Sequence, residues 1–410
     1  MLLEFRTHNK LRLNPEDLPA FGSSPSAASA PAQLERLRLC YISNPNSIHT
    51  QRWVGWFAKR GHSVCLLADV PPKEPWADVT VIDLSRYFQA PIIRFPVWAI
   101  WLRGFIGQWH PDVLHAHRVN SAGWLAAASG FHPYVITPWG SDVFIGPQRS
   151  WVARQLARYT LQHADKITTV SQAISDRVIE LGAKAERLAR VYIGVDLEIF
   201  TPRPATSQER MDFRHRLSLS PTAPLVYSPR AINPIYNQDI ILQAISGVRE
   251  RLPEACFVFT AYNVDPGYKQ ELDRLVEELR LGEAVRWLPA ASSPLAMAER
   301  YRSSDVVVSV ASSDGAPVSV IEAMACGKPV VCSDLTALRE FVTPGETGWL
   351  VPVRQVEPLS GAILQALENT QIAAAYGRRA QQFVADTANL DAQMHRMEQI
   401  YCQLTRVRRG

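Results

Sequence analysis

Ser312–Gly327 reads SSDGAPVSVIEAMACG, and the order of chemistries along it sets the architecture expected of the whole chain. Just before it, Asp305–Val310 is a β-branched run whose length suits a short strand covered on both faces. Ser-Ser-Asp-Gly then turns the chain, and Pro317 fits the first turn of a helix, where a missing N–H costs nothing. Val318–Ala325 follows as a helix that is apolar on every side except at Glu322, and Gly327 ends it. A carboxylate in an otherwise buried helix needs a partner, either a protein group or a ligand, because an unpaired buried charge is expensive.

The spacing favours a ligand. Asp314 falls in the loop at the strand's carboxyl end and Glu322 about two turns into the helix, so both acids can line the crevice where open α/β sheets bind their ligands. Between them, Gly315-Ala316-Pro317-Val318 opens the helix, whose free N–H groups and positive dipole end suit a phosphate. Acid, anion site, acid is a layout for a sugar nucleotide. The plainer alternative is an N-cap aspartate plus a salt-bridged glutamate.

A chain of 410 residues, 47% hydrophobic and 20% charged, is long enough for two soluble domains with separate cores. Its net charge of +4 comes without a Lys/Arg block or aromatic–basic interleaving, so nothing points to nucleic acid. That mild basicity is compatible with an anionic membrane surface. The six cysteines (Cys40, Cys65, Cys256, Cys326, Cys332, Cys402) show no metal spacing and read as reduced thiols of a cytosolic protein. Met1–Lys10 has no apolar run of signal-peptide length, and residues 18–33, rich in Ala, Ser and Pro, read as disordered, which sets residues 1–35 outside the fold.

Leu37–Ser43, the loop Asn44–Ser47, a helix carrying Trp53, Phe57 and Ala58, and a strand at Val64–Leu67 make a βαβ opening. No G-x-G-x-x-G follows that first strand, which weakens a dehydrogenase reading. Residues 91–109 (PIIRFPVWAIWLRGFIGQW) are too interrupted by Pro96, Arg94 and Arg103 to span a bilayer. They suit either a helix packed on the sheet or an interfacial patch of Trp and Arg resting on a membrane. Pro111–His117 is a strand ending in His115 and His117 on one face, and Tyr134–Asp142 runs into a Gly-Ser-Asp turn. Asp142 there either contacts an acceptor or caps the next helix.

Thr201–Thr206 is a Pro-rich boundary. Strands at Leu225–Ser228, Cys256–Thr260, Val285–Leu288 and Val306–Val310 then alternate with helical stretches, as in a parallel sheet. The last helix carries Leu390, Met394, Met397, Tyr401 and Leu404 on one stripe.

Asp314, seven residues and Glu322 resemble the Glu, seven residues, Glu motif of retaining glycosyltransferases with the GT-B fold, most closely glycosyltransferase family 4. EAMACGKPVV followed by GETGWLV, the strand end DVLHAH, the loop TPWGSD and the stretches 164–171 and 193–200 extend that resemblance over roughly residues 37–405. It implies an α/β GT-B fold of two facing doubly wound Rossmann-like domains, at 36–203 and 204–385, with a C-terminal helix, 386–410, returning to the first. Gly194 and Asp196 would shape the turn between domains.

The resemblance also implies roles. The first acid would contact donor-sugar hydroxyls and the second the nucleotide ribose; Asp314 is one methylene shorter than the usual Glu, which bears on which sugar fits. Of the two histidines, His117 is favoured as the one near the donor sugar. An arginine after the first strand of the second domain and a lysine a few residues later would grip the diphosphate. Arg230 matches, but Tyr236-Asn237-Gln238 stands where Lys-Gly is expected, offering hydrogen bonds without charge.

The implied catalytic set is therefore His117, Arg230 and Asp314. Tyr236, Asn237, Gly315, Ala316, Pro317, Val318 and Glu322 join Arg230 and Asp314 around the donor, with Asn46, His49 and Asp142 on the acceptor side. The expected reaction moves a sugar from a nucleoside-diphosphate donor to a glycan, lipid-linked or small-molecule acceptor, without cofactor or metal. The expected setting is the cytoplasm, at the inner face of the membrane for a lipid-linked acceptor. Two rivals share the fold or the ligand: an epimerase or phosphorylase, and a non-catalytic nucleotide-sugar-binding partner subunit.

Overall fold

The structure, a computed structural model, describes residues 35–86, 94–204 and 207–409, so the tail at 1–35 lies almost wholly outside the described residues, as do 91–93 and the end of the Thr201–Thr206 boundary. The first sheet holds β1 (Arg38–Ser43), β2 (Ser63–Ala68), β3 (Thr80–Asp83), β4 (Val113–His117), β5 (Tyr134–Thr137), β6 (Lys166–Thr169) and β7 (Leu188–Arg190), in the order 3-2-1-4-5-6-7. The second holds β8 (Leu225–Ser228), β9 (Cys256–Ala261), β10 (Val285–Pro289), β11 (Val306–Ser309), β12 (Val330–Ser333) and β13 (Trp349–Val351), in the order 10-9-8-11-12-13. Neighbouring strands run parallel, and helices fill the crossovers. These are two doubly wound domains, as the sequence implies.

Alternation along the strands divides each core in two. In β1, Cys40 and Ile42 face a cluster built with the helix Arg94–Trp109, while Leu39 and Tyr41 face one built with Trp53, Phe57 and the last helix, Leu390–Arg409. That last helix returns to the first domain on its expected stripe, burying Met394, Met397, Ile400 and Tyr401. Its Tyr401 hydroxyl lies 2.9 Å from that of Tyr41, and Glu398 pairs with His62 at 2.8 Å.

The helix Arg94–Trp109 corrects the interfacial reading. Trp98, Leu102, Phe105 and Trp109 are buried in the sheet-facing cluster, and Trp101 packs against it. Arg103 turns aside to donate to the carbonyls of Ala128 and Ser129. The tryptophans a bilayer contact would need are already spent on the core, and Ile100 is the exposed large apolar side chain among those described in this helix. Among the described residues, no helix is long and apolar enough to cross a membrane.

The domains touch backbone to backbone. A Cβ on Gly315 would lie 2.6 Å from Gly140 Cα, and Ser171 Oγ donates to Gly315 O at 2.8 Å. At the linker, a Cβ on Gly194 would lie 2.2 Å from Leu390 Cα, so only glycine lets the chain leaving β7 pass the start of the last helix. Asp196 caps the turn after it, accepting from the Glu198 amide at 3.0 Å.

Candidate active site

The strand order reverses between β1 and β4 in the first sheet and between β8 and β11 in the second. Ligands of open α/β sheets bind beyond the carboxyl ends at such points. Here both points open on one cleft of about 810 Å³ that takes residues from both domains, including His49, Arg52, Arg118, Trp139, Arg230, Tyr236, Asp314, Ser319 and Glu322.

On the second-domain side, β11 ends at Ser309 and the chain turns through Asp314 into the helix Val318–Ala325. Pro317 stands just before the first helical residue rather than inside it, and Glu322 is the fifth residue of the helix, little more than one turn in rather than two. Asp314 Oδ1 accepts from the Ala316 amide at 3.1 Å, and Oδ2 lies 3.0 Å from Arg230 Nη2. That second contact is an ion pair without hydrogen-bond alignment, which leaves Oδ2 able to accept from a hydroxyl.

Arg230, at the end of β8, also donates to Ser319 Oγ at 3.0 Å and stacks its guanidinium 4.2 Å from the Tyr236 ring centroid. Burial works against its cation, but Asp314 and then Tyr236 outweigh burial and raise its pKa. Arg230 is thus a fixed positive charge, seated beside the first turn of the helix. Gly315, Ala316 and Val318 line the same cleft.

Glu322 has protein partners as well as an outlook on the cleft. Its Oε1 pairs with Arg52 Nη2 at 2.5 Å, and its Oε2 accepts from the Tyr301 hydroxyl at 3.0 Å. Arg52 comes from the helix Ile48–Lys59 of the other domain, so this ion pair bridges the cleft. Asn237 is placed differently from the other donor-side candidates. It is fully buried in the left-handed region (φ 52°), its amide nitrogen donates to Val310 O and Ser312 Oγ, and its oxygen accepts from Arg354. Those bonds consume its side chain in holding the loops after β8 and β11 together.

On the first-domain side, β4 ends at His117 with both histidines buried. His115 is saturated, one ring nitrogen pairing with Tyr401 at 2.5 Å and the other with Thr137 at 2.7 Å, which makes it a fastening for the last helix. His117 pairs with Ser43 through Nδ1 at 3.2 Å, while its buried Nε2 has no hydrogen-bond partner among the described residues. Trp139 lies across it at 4.8 Å and forms the cleft wall in its place. Burial, then His115, His49 and Arg118, push the His117 pKa well down, so the ring is neutral.

His49 reaches the cleft directly, edge-on to Trp139 at 5.2 Å. Burial, then the guanidiniums of Arg52, Arg118 and Arg230, hold its pKa down at about 3. Asn46 lines the cleft and ties down its rim, accepting from the Lys73 amide and donating to Pro71 O. Asp142 is withdrawn into backbone: it accepts from the amides of Val119, Trp139 and Gly140 at 2.7, 3.0 and 2.8 Å. It clamps the loop after β4 to the loop after β5 and does not cap the helix that follows.

Among the residues that went unnoticed in the sequence are Trp139, Ser319, Arg118 and Arg52 on the cleft wall and Tyr301 buried behind Glu322. Trp139 and Ser319 sit inside stretches already singled out. Arg118 directly follows the His117 strand end, a position that a known strand order would have flagged. Arg52 and Tyr301 carry no local signal, since each looks like an ordinary helical residue: Arg52 until the domains are set face to face, Tyr301 until its helix packs beside Glu322. Among the described residues, no cluster of three or more His, Cys, Asp and Glu side chains is arranged to hold a metal ion.

The chain matches two family models, "Glycosyl transferase 4-like" over residues 38–171 and "Glycosyl transferases group 1" over residues 209–383. It is 27% identical to the D-inositol 3-phosphate glycosyltransferase of Jonesia denitrificans, covering 68% of this chain and 70% of that one. It is 28% identical to a GDP-mannose-dependent alpha-(1-6)-phosphatidylinositol monomannoside mannosyltransferase of Mycolicibacterium smegmatis, covering 62% of this chain and 66% of that one. Among solved structures, sucrose-phosphate synthase from Thermosynechococcus elongatus superposes with a TM-score of 0.77 at 20% identity, over 91% of this chain and all of that one. The last likeness concerns the fold alone.

Proposed function

This chain belongs to the family 4-like GT-B glycosyltransferases, and from that premise we propose that it transfers a sugar with retention of anomeric configuration and without a bound metal. The observation that carries the proposal is the Arg230–Asp314 pair at the head of the helix Val318–Ala325. The donor diphosphate lies against Arg230 and the helix N-terminus, which supply fixed positive charge where the leaving group becomes more negative. Asp314 Oδ2 accepts from a sugar hydroxyl, and Glu322 takes the ribose.

As the bond from the anomeric carbon to the phosphate oxygen breaks, the sugar becomes oxocarbenium-like. The acceptor hydroxyl attacks on the face just vacated, and its proton leaves with the diphosphate. The neutral rings of His49, on the cleft wall, and of His117, covered by Trp139, add no further positive charge there. Charge neutralisation by Arg230 and backbone takes the place of a metal ion.

The acceptor is a glycan, lipid-linked saccharide or small polyol, met in the cytoplasm. A peripheral membrane contact, if a lipid-linked acceptor calls for one, uses a surface other than the tryptophans of Arg94–Trp109, which are in the core.

A thermal-shift screen against nucleotide sugars selects the donor, since a ligand that binds only the native state raises the melting temperature. Transfer from that donor is then run with and without EDTA, and the product anomer is assigned by NMR. Unchanged turnover and a product with the donor's anomeric configuration are expected. An inverted anomer overturns the retaining reading, and loss of turnover in EDTA overturns the metal-free one.

A further inference from the structure

The donor seat is short of one charge. A diphosphate that departs as a leaving group gathers at least two negative charges, and the resemblance to family 4 expects an arginine and a lysine to meet them. Tyr236 stands near the lysine's place and brings a ring, stacked on Arg230, in place of a cation. Arg230 already shares its charge with Asp314.

We infer that Arg52, from the first domain, is the second cation of the donor site: it leaves Glu322 for the diphosphate when the ribose takes its place on that carboxylate. This rests on the donor seat proposed above. The geometry begins on the helix Val318–Ala325, where Arg230 is hydrogen-bonded to Ser319 and Arg52 is ion-paired to Glu322. Positions 319 and 322 are three apart, hence on one helix face with Cβ atoms about 5–6 Å apart. Two guanidiniums, one from each domain, therefore meet one face of the same helix within the span of a diphosphate.

The state of the Arg52 side chain supports the exchange. It is partly buried at the cleft wall, and its Nη1 has no hydrogen-bond partner among the described residues, although an arginine presents five donors. Phe200, 5.6 Å from the guanidinium, supports it from the side. Glu322 keeps the Tyr301 hydroxyl on Oε2, so a ribose hydroxyl can replace Arg52 on Oε1 without leaving the carboxylate bare. Arg52 also helps hold the His49 ring neutral, as Arg118 and Arg230 do, which places these three cations around one part of the cleft. Because it rides on the first domain, its charge reaches the donor only when the domains face each other as they do here.

The test measures what the second phosphate adds to binding. Calorimetry with the pairs UDP/UMP, GDP/GMP and ADP/AMP gives the ratio of diphosphate to monophosphate affinity, and the pair with the largest ratio is carried forward. Arg52→Met, which keeps the apolar stem against Phe200, is expected to lower diphosphate affinity at least tenfold while monophosphate affinity changes less than threefold. Arg52→Lys is expected to recover part of the loss, and melting temperatures of both variants report folding. Arg230→Ala is the control and should also collapse the ratio. If Arg230→Ala collapses it while Arg52→Met leaves it intact or weakens both nucleotides equally, the role of Arg52 is overturned and the donor seat stands. A ratio untouched by Arg230→Ala, or absent from the wild-type protein, overturns the seat and this inference together.

Discussion

The second-domain wall of the cleft draws Arg230 and Tyr236 from the end of β8 and Asp314, Ser319 and Glu322 from the end of β11, two adjacent strands. The first-domain wall takes His49 and Arg52 from the helix after β1, Arg118 from the end of β4 and Trp139 from the end of β5. Tyr262 after β9 and Ala290–Pro294 after β10 complete the one wall, and Lys73 and Trp76 after β2 the other; only Asp314, Ser319 and Glu322 share a single strand–loop–helix unit. That unit, with Arg230 from the neighbouring strand end, can hold the fragment common to nucleoside-diphosphate donors. A surface gathered from several loops can vary one residue at a time, which suits the acceptor side of a family with many acceptors.

The comparison breaks first at the level of chemistry. Arg230→Ala removes the fixed charge at the leaving group and strands Asp314 in a buried site, so kcat/KM for transfer should fall by roughly 10³ or more, with slow donor hydrolysis falling alongside. Arg118→Ala touches only the opposite wall, where the guanidinium stacks over Trp139 at 5.7 Å. Transfer should fall about tenfold there while donor hydrolysis without acceptor is kept. Rates of both reactions in the two variants decide the matter, and an equal loss of hydrolysis in Arg118→Ala would show that Arg118 serves the donor rather than the acceptor.

Acid sharpens the same comparison through stability. His49, His115 and His117 all belong to the first domain, and burial is the leading cause of each lowered pKa, with His49 and His115 held at about 3. A histidine whose folded pKa lies below its unfolded value of 6.5 binds its proton more readily in the unfolded chain. Its contribution is therefore intact above pH 6.5 and is lost progressively as pH falls towards 3. For fully buried His115 the loss at pH 5 is on the order of 2 kcal/mol.

In the second domain the shifted carboxylates are also lowered, but their window is more acidic. Burial disfavours the Asp305 carboxylate, but Arg210 and Arg214 outweigh it and lower its pKa, while a hydrogen bond from Arg302 leads the lowering at Glu209. Their stabilisation holds above their ordinary values of 3.8 and 4.5 and is lost only as pH falls through the lowered ones. Hydrogen exchange at pH 7 and pH 5, resolved by peptide, should show protection lost from the first sheet before the second. Equal loss in both would remove the histidines as the cause.

The same contrast explains what could be read from the chain alone. Asp314, Glu322 and Arg230 were legible because one stretch of sixteen residues and one strand end carry them. The doubly wound sheets were legible because alternation and β-branched runs report burial directly. Arg52 was not, because its meaning depends on a carboxylate 270 positions away. Asn237 and Asp142 were legible as polar residues near the cleft, yet their roles turn on backbone groups that only the folded loops present. The tryptophans of Arg94–Trp109 could not be assigned to core or membrane, since composition is the same for both and only packing separates them.

The smallest expected effect lies at Tyr236, where the two walls compete for one missing charge. Its ring is stacked on Arg230, a contact whose worth is about 1 kcal/mol in a partly desolvated site. Tyr236→Phe keeps the ring and should leave kcat/KM within about threefold, whereas Tyr236→Leu loses the stack and should cost roughly fivefold. Should the Phe variant lose as much as the Leu variant, the hydroxyl itself must bond to the donor. The second domain would then supply its own substitute for the lysine, and the demand that places Arg52 on the diphosphate would weaken in proportion.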